Sequence, residues 1–191
     1  MEINVKEWLN REGEAFLEDI GIKKGDVVLD FGCGAGHYTI PAAKVVSEEG
    51  KVYAIDKDIE SMYKLMEIAK NKGLKNIIPL HAKPEEPKIN LGSESIDVVL
   101  LYDVIHLVGK NNTSTVDDRK KLYKDVYRIT RKNALISVYP SHLTTHTDVT
   151  SKEEIKKEIE ETGFSFEKEI YTELIHDDNK VKDYILNFRK K

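Results

Sequence analysis

The stretch VVLDFGCGAG, residues 27–36, decides the fold of this chain. Its first part is apolar and partly β-branched, as is typical of a strand buried inside a parallel sheet. Gly32, Gly34 and Gly36 then occur at alternate positions. Glycine lets the backbone turn sharply and lets a ligand approach without a clash with a Cβ atom. A strand that runs into such a turn predicts a ligand site at the carboxyl end of the first strand of a doubly wound sheet.

The rest of the chain alternates between helical and strand-like hydrophobic periods. We expect helices over residues 5–19, 38–47, 118–130 and 151–161, and a further helix whose apolar face is Met62, Leu65, Met66 and Ala69 and which Gly73 ends. We expect strands over residues 26–31, 51–56, 77–80, 96–101, 134–139, 164–171 and 181–188. This alternation predicts an α/β fold with a mostly parallel sheet and helices on both faces. The last two strands have no helix between them, so we expect them to pair antiparallel around a turn at 177–179.

Composition limits the partners of the chain. Thirty basic residues oppose 34 acidic ones, and the net charge of -4 gives no electrostatic footprint for nucleic acid. No apolar run approaches the ~20 residues that span a bilayer, and the N-terminus does not read as a signal peptide. Cys33 is the only cysteine, so no internal disulfide can form. We therefore expect a cytoplasmic protein that binds neither nucleic acid nor a membrane.

Two acidic residues near the glycine turn distinguish between cofactors. Asp30 lies two residues before the first glycine, where a carboxylate would repel the pyrophosphate of a dinucleotide. S-adenosylmethionine has no phosphate and carries an ammonium and a sulfonium, which a carboxylate attracts. Asp56 ends the second strand and can accept hydrogen bonds from ribose hydroxyls, although dinucleotide enzymes use the same geometry. The charge of Asp30 therefore favours the methyl donor.

Three motifs together resemble the class I, seven-stranded S-adenosylmethionine-dependent methyltransferases. They are VLDFGCGAG, VYAIDKD and SIDVVLLYDVIHLV, and the resemblance covers residues 25–139. It implies the strand order 3-2-1-4-5-7-6 with strand 7 antiparallel, and S-adenosylmethionine as cofactor with S-adenosylhomocysteine as product. It also implies that Asp30 and the glycine turn hold the methionine part and that Asp56 holds the ribose. We therefore predict one methyltransferase domain over residues 1–191, with an N-terminal helical segment (1–24) and a Rossmann-like core (25–191).

The adenine end of the site departs from the family pattern. Members often carry an acidic residue after the third strand, whereas Lys83, or His81 in a shifted register, takes that place here. Lysine cannot accept a hydrogen bond, so adenine contact falls to backbone groups near Ala82 and Lys83 or to Glu85. The full predicted cofactor site comprises Asp30, Gly32, Cys33, Gly34, Gly36, Tyr38, Asp56, Lys57, Ala82, Lys83 and Tyr102.

The loops after the fourth and fifth strands should frame the acceptor pocket. Methyl transfer is an in-line displacement, and a general base helps only if the acceptor must lose a proton. His106 is the leading candidate for this base, with Asp103 and His142 as alternatives. His106 could instead fill space behind the pocket. His142 and His146 have the spacing of a helical metal site, but their segment reads as a loop, so we expect no metal.

Elimination points to a small-molecule acceptor. No Asn-Pro-Pro-Tyr motif follows the fourth strand, and no cysteine cluster supports arsenic chemistry. The N-terminal helix with Trp8 and Phe16 could lie over the cofactor, and the charged run 153–161 predicts a solvent-facing helix surface. Two alternatives stay open: a non-catalytic cofactor-binding protein of the same fold, and an NAD(P)-dependent oxidoreductase.

Overall fold

The computed structural model describes residues 3–82, 88–109, 113–143 and 151–191. Its helices are α1 (Ile3–Glu7), a π-helical turn (Trp8–Glu12), α2 (Gly13–Ile20), α3 (Thr39–Val46), α4 (Ile59–Asn71), a 3₁₀ turn (Ile105–Leu107), α5 (Val116–Ile129) and α6 (Lys152–Glu160). Its strands are β1 (Val27–Phe31), β2 (Lys51–Asp56), β3 (Ile77–His81), β4 (Ile96–Tyr102), β5 (Thr130–Tyr139), β6 (Phe164–His176) and β7 (Asn179–Lys190).

The seven strands form one sheet in the order β3-β2-β1-β4-β5-β7-β6. Strand β2 pairs parallel with both β1 and β3, and β4 pairs parallel with β5. Strand β7 pairs antiparallel with β5. This topology confirms the predicted fold class, strand order and antiparallel strand. Pro79 lies in the edge strand β3, where the missing backbone N–H is tolerated.

The chain folds into two compact units, Met1–Ala82 with Tyr171–Asp183 and Lys83–Ile170 with Tyr184–Lys191. The core of the first unit is built from the apolar faces of α2, α3 and α4 and from the buried residues of β1 and β2. The second unit buries β4 and β5 together with one side of α5 and of α6. No helix of the described segments has the length and apolar character needed to cross a bilayer.

Side-chain caps fix where two of the helices begin. Ser151 and Glu154 form the capping box that the sequence predicts at the start of α6. Thr115 and Asp118 form a second capping box, which starts α5 two residues earlier than the hydrophobic pattern indicates. The prediction that the charged residues of α6 face solvent is wrong at one position, because Glu158 is buried against Arg119.

The β6–β7 hairpin is tighter than expected. Its two turn residues, Asp177 and Asp178, have φ values of 47° and 62°. Two successive residues at positive φ make the kind of two-residue turn that matches the twist of paired strands. Both strands therefore continue to the turn, and β6 and β7 are longer than the hydrophobic pattern alone predicts.

Candidate active site

The glycine turn is anchored to the neighbouring strand β2. The backbone N–H groups of Gly32 and Cys33 both donate to the carbonyl of Ile55, at 2.8 and 3.0 Å. Gly34 and Gly36 have φ values of 48° and 89°, in the left-handed region that favours glycine. A Cβ on Gly36 would overlap Leu65, whereas the space around a Cβ on Gly34 is open. The turn is therefore packed against α4 on one side and open to a ligand at Gly34.

The carboxylate of Asp56 holds this turn in place. Its Oδ2 accepts a hydrogen bond from the Gly34 N–H at 2.7 Å, and its Oδ1 accepts one from the Asp58 N–H at 2.9 Å. An ionised carboxylate has about four acceptor positions, so about two remain on Asp56 after these bonds. Sequence reasoning predicted that Asp56 binds the ribose, but it missed the contact by which Asp56 shapes the turn. The spacing from Asp56 to Asp58 is typical of a side-chain-to-backbone turn and accounts for the second bond, whereas no local sequence signal marks the bond to Gly34.

Asp30 is buried within β1 and is only 2% exposed. Thr39 Oγ1 donates a hydrogen bond to Asp30 Oδ2 at 2.5 Å. Burial raises the pKa of Asp30 to about 7, with a further rise from the charge of Asp56, while the Thr39 hydrogen bond opposes the shift. A nearby cation would oppose this rise and favour the ionised carboxylate.

Cys33 and Tyr38 flank the open part of the turn. Burial raises the pKa of the Cys33 thiol, and the charges of Asp30 and Asp56 raise it further, so a thiolate is disfavoured. The Tyr38 hydroxyl donates to the carbonyl of Ile175 at 2.7 Å and accepts from its N–H at 3.2 Å. Tyr38 therefore joins the end of the glycine turn to β6.

The N-terminal helices contact the residues that follow the turn. Trp8 Nε1 donates to the carbonyl of His37 at 2.8 Å, and the Trp8 ring packs on Phe16 and Tyr38 at centroid distances of 5.1 and 5.6 Å. His37 Nε2 lies 3.1 Å from Asp178 Oδ1, at the tip of the β6–β7 hairpin. A cavity of about 320 Å³ beside these residues is lined by Val5, Leu9, Ala35, His37, Lys64, Glu67, Ile68 and Asp178.

The predicted adenine-binding residues are only partly described. Lys57 and His81 are exposed. The N–H of Ala82 donates to the carbonyl of Asp56 at 2.8 Å, so this donor is already used. Lys83 and Glu85 lie outside the described residues, as does His146 of the histidine pair considered for a metal.

In the second unit, polar residues gather where β4 and β5 end. Ser141 Oγ donates a hydrogen bond to Asp103 Oδ1. The same oxygen lies 3.7 Å from His106 Nδ1 and 3.8 Å from His142 Nε2. The two imidazole rings are 5.0 Å apart, centre to centre. The two predicted catalytic histidines thus lie around the carboxylate of the third predicted residue, Asp103. Ser141 also contacts this carboxylate, and sequence reasoning missed it.

The backbone at this cluster is unusual. Asp103 and His142 both have a φ of 53°, which is uncommon for residues other than glycine and is often found at functional sites. Tyr102, the residue before Asp103, is buried, and its hydroxyl is 2.7 Å from Ser137 Oγ. That hydroxyl is therefore engaged inside the second unit.

Known proteins share both the sequence pattern and the fold. A probable cobalt-precorrin-6B C(15)-methyltransferase (decarboxylating) of Saccharolobus solfataricus is 42% identical over 73 residues, which are 38% of this chain and 36% of the relative. A demethylmenaquinone methyltransferase of Geobacillus stearothermophilus is 30% identical over 120 residues, 62% of this chain and 47% of the relative. The matched part is thus less than half the length of either relative.

The agreement with solved structures is more extensive. The crystal structure of a SAM-dependent methyltransferase from Aquifex aeolicus has a TM-score of 0.71 at 25% identity, with 93% of this chain and 88% of that chain covered. The model of the methyltransferase-domain family matches residues 22–186, which include the glycine turn, Asp56 and the Asp103 cluster. The chain therefore belongs to the class I S-adenosylmethionine-dependent methyltransferases, the family that its glycine turn predicts.

Proposed function

We propose that this protein transfers the methyl group of S-adenosylmethionine to a small-molecule acceptor. The observation that carries the proposal is the contact between Asp56 and Gly34, next to the buried carboxyl of Asp30. This contact holds the glycine turn open before any ligand arrives, and it leaves acceptor positions on Asp56 for ribose hydroxyls. A cation beside the buried carboxyl of Asp30 favours its ionised form, so the site suits a cationic ligand better than a pyrophosphate.

Each predicted cofactor residue has a proposed part in this site. Asp30 and the turn formed by Gly32, Cys33, Gly34 and Gly36 hold the methionine part, with Tyr38 fixing the end of the turn. Asp56 binds the ribose. Lys57 and Ala82 border the adenine end, while Lys83 and Tyr102 stay sequence predictions for the adenine and methionine parts.

Three properties support a small acceptor. The relatives from Saccharolobus and Geobacillus are named for precorrin and demethylmenaquinone, which are both small molecules. The net charge of -4 gives no broad attraction for nucleic acid. The polar cluster of Asp103, His106 and His142 offers acid–base chemistry of the kind that a hydroxyl, amine or acidic carbon needs in order to become a nucleophile.

The cofactor site is tested by Asp56→Ala. The substitution removes hydrogen bonds to a charged group, each worth roughly 1.5–3 kcal/mol, so we expect S-adenosylhomocysteine to bind at least tenfold more weakly. Isothermal titration calorimetry measures the dissociation constant. Asp19→Ala is a matched control, because Asp19 is exposed and lies on α2. Equal affinity of Asp56→Ala and the unmodified protein would remove Asp56 from the site.

Methyl transfer itself is tested with labelled S-adenosylmethionine and a panel of small hydroxyl, amine and carbon-acid acceptors. Incorporation of label into at least one of them is the expected result. Binding of S-adenosylhomocysteine without any transfer would instead favour a non-catalytic cofactor-binding protein. Stabilisation against heat by NAD and not by S-adenosylhomocysteine would contradict the cofactor assignment, because a ligand of the native state raises its stability.

A further inference from the structure

We infer that His142 is the general base of the acceptor site, that Ser141 and Asp103 position it, and that the acceptor is one that loses a proton. This inference rests on the proposed methyl transfer. It assigns roles within the cluster of Asp103, His106, Ser141 and His142, where the sequence pattern favoured His106 as the base.

Exposure distinguishes the two histidines. A general base must come within hydrogen-bond reach of the proton that it removes. The side chain of His106 is 6% exposed, whereas that of His142 is 35% exposed. Their rings are in contact, with centroids 5.0 Å apart. His142 is therefore the imidazole that an acceptor can reach, and His106 packs against it.

Asp103 determines how the His142 ring is used. Its Oδ1 lies 3.8 Å from His142 Nε2, so Nε2 is the ring nitrogen that faces the carboxylate, and Nδ1 takes the role of the base. In the neutral ring one nitrogen carries the proton while the other accepts.

Ser141 fixes Asp103 in turn. Its hydroxyl donates to the same Oδ1 atom that faces both histidines, and the N–H of Asp103 donates to the carbonyl of Tyr139 at 3.2 Å. Asp103 and His142 also share a φ of 53°, so the loops after β4 and β5 both adopt an unfavourable backbone conformation at this point. The carboxylate is thus held from both its side chain and its backbone.

The acceptor atom forms a bond to the methyl carbon, while the bond from that carbon to the sulfonium sulfur breaks and its electron pair stays on sulfur as a thioether. The acceptor proton moves to His142 Nδ1 and later leaves to water. An acceptor that has no proton to lose gains nothing from this arrangement.

The difference between acceptors that lose a proton and acceptors that have none provides the test. Methyl transfer is measured with labelled S-adenosylmethionine to proton-bearing acceptors (phenol, catechol and aniline) and to iodide, which has no proton. We expect His142→Gln to lower kcat on the proton-bearing acceptors by on the order of 100-fold. Transfer to iodide and the affinity for S-adenosylhomocysteine should stay within about twofold of the unmodified protein, since neither needs a base.

The positioning residues are tested by hydroxyl rescue. Ser141→Ala should lower kcat on the proton-bearing acceptors by about tenfold with KM unchanged, because the base is misaligned while the acceptor still binds. Ser141→Thr keeps the hydroxyl and should restore most of this loss. Asp103→Asn should lower kcat on the proton-bearing acceptors about as much as His142→Gln does. Asp117→Asn, at an exposed position on α5, serves as the control.

The outcomes separate this inference from the proposed function. If His142→Gln slows transfer to iodide as much as to phenol, or if His106→Gln alone gives the acceptor-dependent loss, the assignment of His142 fails while methyl transfer stands. If the protein binds S-adenosylhomocysteine and methylates none of the four acceptors, the proposed function fails and the inference fails with it. Equal activities of Ser141→Ala and Ser141→Thr would contradict the positioning role.

Discussion

At the scale of single residues, Asp30 combines burial with a charge that the proposed cofactor needs. The sequence places a carboxylate next to the glycine turn, and the structure shows that this carboxylate is 2% exposed with Thr39 as its hydrogen-bond donor. Its interaction with a cation is therefore only weakly screened by water. Because of the same burial, an ionised Asp30 destabilises the folded state when no cation lies beside it.

This destabilisation predicts that the stability of the folded state depends on pH. The folded-state pKa of Asp30 is raised to about 7, above the ordinary value of 3.8. The folded state therefore binds the proton more tightly than the unfolded state, and the contribution to stability is present below the ordinary value and lost as pH rises through about 7. The loss is on the order of 4 kcal/mol, since one pKa unit corresponds to about 1.4 kcal/mol.

Urea unfolding of the ligand-free protein between pH 4 and pH 8 measures this slope. Asp30→Asn should flatten it, because the amide does not titrate. Saturating S-adenosylhomocysteine should also flatten it in the unmodified protein, since its ammonium favours the ionised carboxyl. A slope in Asp30→Asn equal to that of the unmodified protein would assign the pH dependence to other groups.

At the scale of elements, the N-terminal helices support the cofactor turn. A π-helical turn at Trp8–Glu12 separates α1 from α2, and such turns are rare and often occur at functional sites. The Trp8 indole from this turn donates to His37, directly after the last glycine. Gly13 makes room for the arrangement, because a Cβ there would lie 2.9 Å from Trp8 Nε1.

We therefore expect Trp8→Phe to affect both stability and cofactor binding. The ring contacts with Phe16 and Tyr38 are largely kept, while the hydrogen bond to the His37 carbonyl is lost at a cost of about 1 kcal/mol. Thermal unfolding should show a lower Tm, and calorimetry should show weaker binding of S-adenosylhomocysteine by a few fold. Lys6→Ala, at an exposed position on α1, is the control. Unchanged affinity would show that the turn does not depend on this contact.

At the scale of the whole molecule, a buried ion pair stabilises the second unit. The sequence alone does not predict this pair, because its two residues lie on different helices. Arg119 donates to Glu158 through Nε and through a terminal nitrogen, at 2.8 and 2.7 Å, and Arg119 is fully buried. This pair joins α5 to α6. Removal of one partner leaves an uncompensated buried charge, which costs about 3–5 kcal/mol, whereas an apolar replacement of both partners costs much less.

This prediction is tested with Arg119→Met and with the double variant Arg119→Met/Glu158→Leu. The single variant should lower the free energy of unfolding by about 3–5 kcal/mol, and the double variant should recover most of that loss. Urea unfolding, followed by circular dichroism, measures both. A single variant as stable as the unmodified protein would show that Glu158 reaches water.

The sequence predicted the fold well because its signals are local. A buried β-branched strand, the glycines of a tight turn and a serine three residues before a glutamate each specify structure through neighbouring residues. The strand order was implied by the family resemblance that the motifs carry, and the short connection between β6 and β7 indicated that these two strands pair antiparallel. The ends of β6 and β7 were less predictable, because the positive φ values of Asp177 and Asp178 appear only when the two strands pair.

What the sequence determined by itself is therefore the family, the glycine turn and the two carboxylates, Asp30 and Asp56, that accompany it. Only folding produces the burial that raises the pKa of Asp30, the contact of Asp56 with Gly34 and the burial of His106 behind His142. The reason is physical. Residue type and spacing specify backbone conformation, whereas pKa, access to water and the meeting of side chains from separate strands depend on atoms that only folding brings together.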